Sequence, residues 1–310
     1  MSARPALRSA ARRVSARLRP VVTGLTRARR VWLMLALAAL FVAAVTLSAG
    51  RSFIVSGQSA TMTIRFQGAN NAWLFPEATI CRRRPVIEPQ NLTSEACPAG
   101  LFLPAVALDG PVVWAAGTRA AIQATPQGGL RIVVQDSRNR DLPEGTMILI
   151  DEADWQGTGA LAFQGQTVVG DSIGSGARHY LDSGAWEARQ QTWLSWVLGG
   201  RARTVLEGDL VRGVQAQVLE GDDPALVDGY LTPGSGTFFR FFVASSPGDT
   251  SLEVRYFGAI GSSRLRPSWI DSAITSSVLI AVITVLGLFA TLLQIWSSVA
   301  DGLRGGGREN

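Results

Sequence analysis

The residues best suited to catalysis are at positions 170–174, where Gly-Asp-Ser-Ile-Gly matches the G-x-S-x-G motif of serine hydrolases. A serine nucleophile needs a base within hydrogen-bonding distance. The single histidine of the chain, His179, follows Ser172 by only seven residues. In hydrolases with this motif, the acid and then the histidine come from later loops. We therefore interpret the motif as a glycine-rich turn and do not predict an enzyme; hydrolysis by Ser172 is the alternative.

A second group of chemically capable residues is acidic. A short apolar run from residue 147 ends in Asp151, Glu152 and Asp154, like the acidic strand end of a nucleotide hydrolase. That site also needs a phosphate-binding loop with a lysine, and the chain contains no lysine. Calcium binding would draw on carboxylates later in the chain: Asp222, Asp223 and Asp228. Because no segment has the spacing of a known calcium loop, we interpret the acidic residues as solvated turns and predict no metal and no cofactor.

Aromatic residues crowd one part of the chain: Trp155, Tyr180, Trp186, Trp193 and Trp196. Such side chains stack on sugar rings in some proteins, but aromatic residues in strands usually fill a core. No pattern of polar partners accompanies these residues. We therefore expect them to be core residues, and we expect His179 to be structural.

The two cysteines, Cys81 and Cys97, are predicted to form a disulfide. The prediction assumes that the domain lies in an oxidising compartment, where paired cysteines are normally oxidised. The chain-entropy model assigns such a cross-link about 3 kcal/mol of stabilisation.

Two uncharged apolar segments predict transmembrane helices at residues 31–48 and 272–296. The second segment would extend about 37 Å as a helix, enough to cross a hydrocarbon core of about 30 Å. Tryptophans are expected at the membrane interface. Those near the ends of the two segments are Trp32, Trp269 and Trp296.

The arginines of residues 1–30 predict the orientation. This segment holds nine arginines and no carboxylate, and positive segments remain on the cytoplasmic side. We therefore expect a bacterial inner-membrane protein with residues 1–30 and 297–310 in the cytoplasm and residues 49–271 in the periplasm. Since the excess positive charge flanks the membrane, we expect no nucleic-acid partner.

Small and polar residues recur at helical spacing in both apolar segments and predict a packing seam. Such residues allow close approach of helices in lipid. The seam residues are Ala36, Ala39, Ala43 and Thr46 in the first segment and Ser277, Thr284, Gly287, Thr291 and Gln294 in the second. The partner would be the other segment or a copy of the chain; chance enrichment of small residues is the alternative.

Residues 49–271 are predicted to form an all-β domain. Short alternating runs are separated by turn residues, and Met62, Ile64 and Phe66 share one strand face. This pattern is typical of an antiparallel sandwich or barrel-like domain. Prolines near residues 100–110 also allow a division into two subdomains.

These features predict a structural, assembly or accessory subunit of a cell-envelope membrane complex. Its partners would be the lipid bilayer and other membrane proteins or copies of itself. The alternative is a membrane-anchored periplasmic module that binds an envelope ligand or glycan. That function would require an exposed groove lined by aromatic residues or arginines.

Overall fold

In a computed structural model, the chain forms an antiparallel β domain. The structure describes residues 50–268 except 69–70, 84–96, 98–100, 104, 109, 172–179, 192–201, 258 and 260, together with scattered positions between 271 and 299. The first strands are β1 (Gly50–Ser59), β2 (Thr61–Phe66), β3 (Ala72–Trp73), β4 (Thr79–Cys81), β5 (Val106–Ala107), β6 (Val112–Val113), β7 (Arg119–Ala124), β8 (Leu130–Asp136) and β9 (Met147–Ile150).

The short helix α1 (Glu152–Gly157) separates these strands from the second half of the domain. The later strands are β10 (Leu161–Val169), β11 (Leu181–Gln191), β12 (Arg203–Leu210), β13 (Gln215–Glu220), β14 (Asp223–Pro224), β15 (Val227–Pro233), β16 (Phe239–Ser245), β17 (Thr250–Arg255) and β18 (Ser263–Leu265). Residues 50–191 and 195–275 belong to one compact unit.

Sixteen of the strands form one sheet with the main order β12-β11-β1-β16-β15-β10-β2-β7-β8-β9-β4-β5. The sheet branches at β10. The first half of β10 pairs with β15, and the second half of β10 pairs with β13. Along its other edge, β10 pairs with β2. Strand β13 also pairs with β17, and β17 pairs with β18. The antiparallel pairing confirms the β part of the predicted fold class.

Strand alternation places one continuous hydrophobic core inside the domain. Met62, Ile64 and Phe66 are completely buried, as the sequence pattern predicts. The ring of Phe66 stacks on that of Trp114 with centroids 4.7 Å apart, and Trp73 meets Trp114 edge to face at 5.2 Å. These large rings hold β2 against the segments around β3 and β6.

The predicted disulfide is confirmed. Cys81, at the end of β4, is bonded to Cys97, with the two Cα atoms 5.7 Å apart and a sequence separation of 16. The side chain of Cys81 is completely buried. The cross-link therefore joins the end of β4 to Cys97.

The prediction of two flanking transmembrane helices, and with it the inner-membrane location with cytoplasmic ends, is contradicted. A helical span needs about 20 consecutive apolar residues, and among the described residues no helix is long and apolar enough to cross a membrane. Segment 31–48 lies outside the described residues. In segment 272–296, the structure describes helical residues only at separated positions.

The predicted packing seam stays largely untested. Trp32, Ala36, Ala39, Ala43, Thr46, Trp269 and Ser277 lie outside the described residues. Thr284, Gly287, Thr291, Gln294 and Trp296 are described as exposed helical residues. The hydroxyl of Thr284 donates a 2.8 Å hydrogen bond to the Ile280 carbonyl, and that of Thr291 donates one to the Leu288 carbonyl. These two hydroxyls are thus bonded within their own helix.

Candidate ligand-binding pocket

Several chain connections meet at one end of the β domain and enclose a pocket of about 420 Å³. This volume lies in the range of small-molecule sites. The aromatic–arginine pocket, as we call it, is lined by Ala60, Ala124, Pro126, Arg131, Tyr180, Thr237 and Phe238. These residues come from the corner between β1 and β2, the β7–β8 hairpin, and the segments that precede β11 and β16.

Backbone hydrogen bonds position Tyr180 at the β1–β2 corner. Its carbonyl accepts a 2.9 Å bond from the Ala60 amide and a 3.4 Å bond from the Ser59 hydroxyl. The guanidinium carbon of Arg212 lies 5.8 Å from the centre of the tyrosine ring, and the same arginine forms an ion pair with Asp182. The ring of Tyr180 is therefore in contact with a cation that is itself ion-paired.

Phe238 is the second aromatic wall of the pocket. It comes directly before β16, where Phe239 is completely buried. Because successive side chains of an extended chain point to opposite sides, Phe238 stays half-buried outside the core. Its ring meets that of Tyr180 edge to face, with centroids 5.9 Å apart and an angle of 63° between the planes.

The hairpin between β7 and β8 forms the opposite wall. Its Thr-Pro-Gln-Gly-Gly sequence closes the turn, in which the Thr125 amide donates a 2.9 Å bond to the Gly129 carbonyl and the Gly129 amide donates back to the Thr125 hydroxyl. Gly128 has a φ of 88°, a conformation that favours glycine. This turn places Pro126 at the mouth of the pocket.

Arg131 supplies the charge of the pocket. It lies on the outer face of β8, between the buried residues Leu130 and Ile132. Its Nη2 donates a 3.0 Å hydrogen bond to Oε1 of Gln123, the residue opposite on β7. The Nε atom is buried and has no hydrogen-bond partner among the described residues. The contribution of Arg131 to the pocket is therefore its guanidinium charge, held in place by Gln123.

The acidic residues that were considered for calcium binding form no three-ligand group among the described residues. Asp151 and Asp154 line a separate pocket of about 350 Å³ together with Glu77. Asp222 is ion-paired with Arg264 at 2.8 Å, and Asp228 accepts a hydrogen bond from Gln164. In the part of the chain that the structure describes, no three potential metal ligands are close enough to hold an ion.

The catalytic motif of the sequence is only partly described. Gly170 has a φ of 75° and its amide donates to the Thr61 carbonyl, so the chain turns there. Ser172 and His179 lie outside the described residues. The interpretation of the motif as a turn therefore stays a prediction for the residues after Asp171.

The aromatic residues singled out from the sequence separate into two groups. Trp155 and Trp186 are buried in the core, as expected. Tyr180 lines the pocket instead, and Trp193 and Trp196 lie outside the described residues. Sequence reasoning did not identify Arg131 and Phe238 as site residues. The available signal was local: consecutive phenylalanines before a strand require one ring to face away from the core.

The comparisons with known proteins identify no relative. No family model matches the chain, and no curated protein or solved structure is significantly similar to it. The fold and the pocket together define the class as an antiparallel β domain with an aromatic–arginine pocket at its loop end.

Proposed function

We propose that the β domain is a non-catalytic binding module for a carbohydrate. The observation that carries the proposal is the combination, in one pocket, of two half-buried aromatic rings and a guanidinium. A lining of aromatic residues with an arginine supports the binding alternative. Neither the envelope location nor a membrane anchor forms part of the proposal.

A sugar suits this pocket because it has both apolar and polar faces. The C–H face of a pyranose packs against aromatic rings, here those of Tyr180 and Phe238. Its hydroxyl or carboxylate oxygens accept hydrogen bonds, and the guanidinium of Arg131 in the pocket lining is a donor group for them. Binding sites of this type combine mainly apolar walls with few polar groups.

The described lining of the pocket favours binding over hydrolysis. Glycoside hydrolysis normally uses two carboxylic acids on either side of the bond that breaks. The lining residues supply a phenol, a guanidinium and a threonine hydroxyl. We therefore propose retention of the ligand without chemical change.

Calorimetric titration of the full-length protein tests the proposal. The probes are a short oligogalacturonate, which is acidic, and a short cello-oligosaccharide, which is neutral. We expect Tyr180→Ala and Phe238→Ala each to weaken binding about tenfold or more, because buried aromatic contacts often contribute over about 1.4 kcal/mol.

Tyr230→Ala is the matched control. Tyr230 is an exposed tyrosine on β15, outside the pocket lining. Its substitution should leave sugar affinity unchanged. The proposal fails if neither oligosaccharide binds, or if all three variants bind as the parent protein does.

A second candidate function is contact with another protein in an assembly. The Tyr230 ring stacks on Phe242 with centroids 5.3 Å apart and an angle of 14°, and Tyr230 is 42% exposed. Its direct neighbours in register are the small residue Ala162 and Phe242 itself. Exposed aromatic residues are enriched at protein interfaces.

A photo-crosslinking amino acid at position 230 tests this candidate in cells that produce the full chain. We expect a specific protein adduct from position 230 and none from position 256, where Tyr256 is similarly exposed at 45%. The same adducts from both positions, or none from either, would contradict an interface at Tyr230.

A further inference from the structure

A second cleft on the domain is lined by two arginines. It encloses about 130 Å³ and its polar lining includes Thr63, Arg65, Arg119, Gln166 and Gln217. Arg65 on β2 and Arg119 on β7 are directly opposite each other in the antiparallel register. Both side chains are exposed.

This arrangement is electrostatically unfavourable without an anion. Like charges directly opposite each other on neighbouring strands repel. Asp136 is opposite Arg119 on β8. Among the described residues, however, neither Arg65 nor Arg119 takes part in an ion pair. The two guanidiniums are therefore both positioned to bind the same negatively charged group.

The arginine cleft shares a sheet face with the aromatic–arginine pocket. By strand alternation, Arg119, Ala121 and Gln123 lie on one face of β7; Arg119 is exposed, Gln123 is half-buried and Ala121 is buried. Gln123 holds Arg131 of the pocket. Gln123 is four positions after Arg119 along the strand, which corresponds to about 13 Å. The direct neighbours of Ala121 in register are Thr63 and Val133, which are uncharged. No described carboxylate interrupts the path at that level.

We propose that the ligand is a linear acidic polysaccharide that follows the outer face of β2 and β7. One sugar packs against Tyr180 and Phe238, and an anionic group further along the polymer lies between Arg65 and Arg119. This inference rests on the proposed carbohydrate-binding function and specifies its ligand class. The threonine and glutamine side chains along the face donate to or accept from sugar hydroxyls.

The same face is less suited to a single-stranded nucleic acid. Such ligands normally stack successive bases on a series of aromatic side chains. Between the pocket and the arginine cleft, the residues of β2 and β7 on this face are Thr63 and Ala121, and they provide no ring. The series would therefore end at the pocket.

The test compares a short and a long oligogalacturonate, with polydeoxythymidine as the nucleic-acid probe, by titration of the full-length protein. We expect the long acidic oligomer to bind about tenfold more tightly than the short one at low salt. Rising salt should reduce this difference because exposed charges are screened.

In the double variant Arg65→Gln/Arg119→Gln, the long oligomer should lose this advantage while the short oligomer binds as before. Arg240→Gln changes an exposed arginine outside both sites and should have no effect. Removal of facing like charges should not lower the melting temperature, so an unchanged or higher Tm shows that the double variant is folded.

Three outcomes would overturn the inference. The first is that the long oligogalacturonate binds the parent protein no more tightly than the short one. The second is that the long oligomer keeps its tighter binding in the double variant. The third is that polydeoxythymidine binds as tightly as the long oligomer and depends in the same way on Arg65 and Arg119. If the short oligomer still binds through Tyr180 in these cases, the proposed carbohydrate-binding function remains. If Tyr180→Ala also leaves all binding unchanged, that function fails as well.

Discussion

Gln123 and Arg131 are directly opposite each other on β7 and β8, and the arginine Nη2 donates a 3.0 Å hydrogen bond to the glutamine Oε1. This bond restrains the guanidinium at the wall of the aromatic–arginine pocket. It also leaves the Nε–H buried and without a partner among the described residues.

The first prediction concerns this positioning. Gln123→Ala should weaken oligogalacturonate binding about two- to tenfold, because ordering a free arginine on binding costs about 0.5–1.5 kcal/mol. Titration calorimetry measures the change. Gln127→Ala, in the exposed turn of the same hairpin, is the control. Equal affinities for Gln123→Ala and the parent protein would show that the hydrogen bond does not preorganise the site.

The second prediction compares two buried tryptophans. The Nε1 atom of Trp73 donates a 2.7 Å bond to the Ala162 carbonyl, whereas Nε1 of Trp114 is buried and has no partner among the described residues. Substitution by phenylalanine removes a hydrogen bond at Trp73. At Trp114 it removes a buried donor that makes no hydrogen bond among the described residues. We expect Trp73→Phe to lower the free energy of unfolding by about 1–2 kcal/mol more than Trp114→Phe. Urea unfolding measures both, and the reverse order would contradict the assignment.

The third prediction concerns the disulfide between Cys81 and Cys97. The double variant Cys81→Ala/Cys97→Ala should lose about 3 kcal/mol of unfolding free energy, because the unfolded chain regains the freedom of the closed loop. Guanidinium unfolding provides the value. The parent protein with its disulfide reduced should show a comparable loss. A variant as stable as the oxidised parent would mean that the cross-link contributes nothing.

The fourth prediction concerns close backbone packing along β1. A Cβ atom at Gly57 would lie 2.2 Å from the Ser183 carbonyl oxygen and 2.6 Å from the Gly184 Cα. Both contacts are with backbone, which cannot easily move. Gly57→Ala should therefore destabilise the domain by about 1–3 kcal/mol. Gly159→Ala, which meets open space, should change stability by no more than about 0.5 kcal/mol; thermal unfolding distinguishes them.

The fifth prediction concerns the capping pair Ser268 and Asp271. The hydroxyl and amide of Ser268 donate to the Asp271 carboxylate at 2.7 and 2.8 Å, and the Asp271 amide donates back to the hydroxyl. The hydroxyl bond, followed by the amide bond, lowers the pKa of Asp271 below its ordinary value. Because the pKa of Asp271 is lowered in the folded state, these hydrogen bonds stabilise the folded protein at pH values above the ordinary carboxyl pKa. This stabilisation is lost as the pH falls through the lowered pKa.

Carbon NMR of the side-chain carboxyl measures this titration. Ser268→Ala should raise the pKa of Asp271, whereas Ser262→Ala, at an exposed position outside the cap, should leave it unchanged. An identical Asp271 pKa in all three proteins would contradict the capping role.

Local patterns were sufficient for much of the sheet. The alternation in β2 predicts the buried face of Met62, Ile64 and Phe66, and turn residues separate most of the observed strands. Strand β1 has no such local signal. In β1, Ser56, Gly57 and Gln58 interrupt the apolar pattern, and the strand is defined instead by pairing with β11 and β16. Those partners lie more than a hundred residues away in sequence, so no local pattern reveals them.

The predicted membrane spans show the opposite limitation. Length and low charge alone suggested segments 31–48 and 272–296, yet among the described residues no helix meets the requirements of a span. Composition reports that a segment is apolar, whereas a crossing also requires a helix of sufficient length.

The sequence by itself determined the all-β class and the pairing of Cys81 with Cys97, because strand periodicity and cysteine number are readable along the chain. Only the tertiary structure decided the site. Ala60, Arg131, Tyr180 and Phe238 belong to four distant segments, and antiparallel register brings Arg65 opposite Arg119. Each residue has an ordinary local environment in sequence. Their capacity to bind a ligand arises from long-range strand pairing, which sequence spacing does not encode in a readable form.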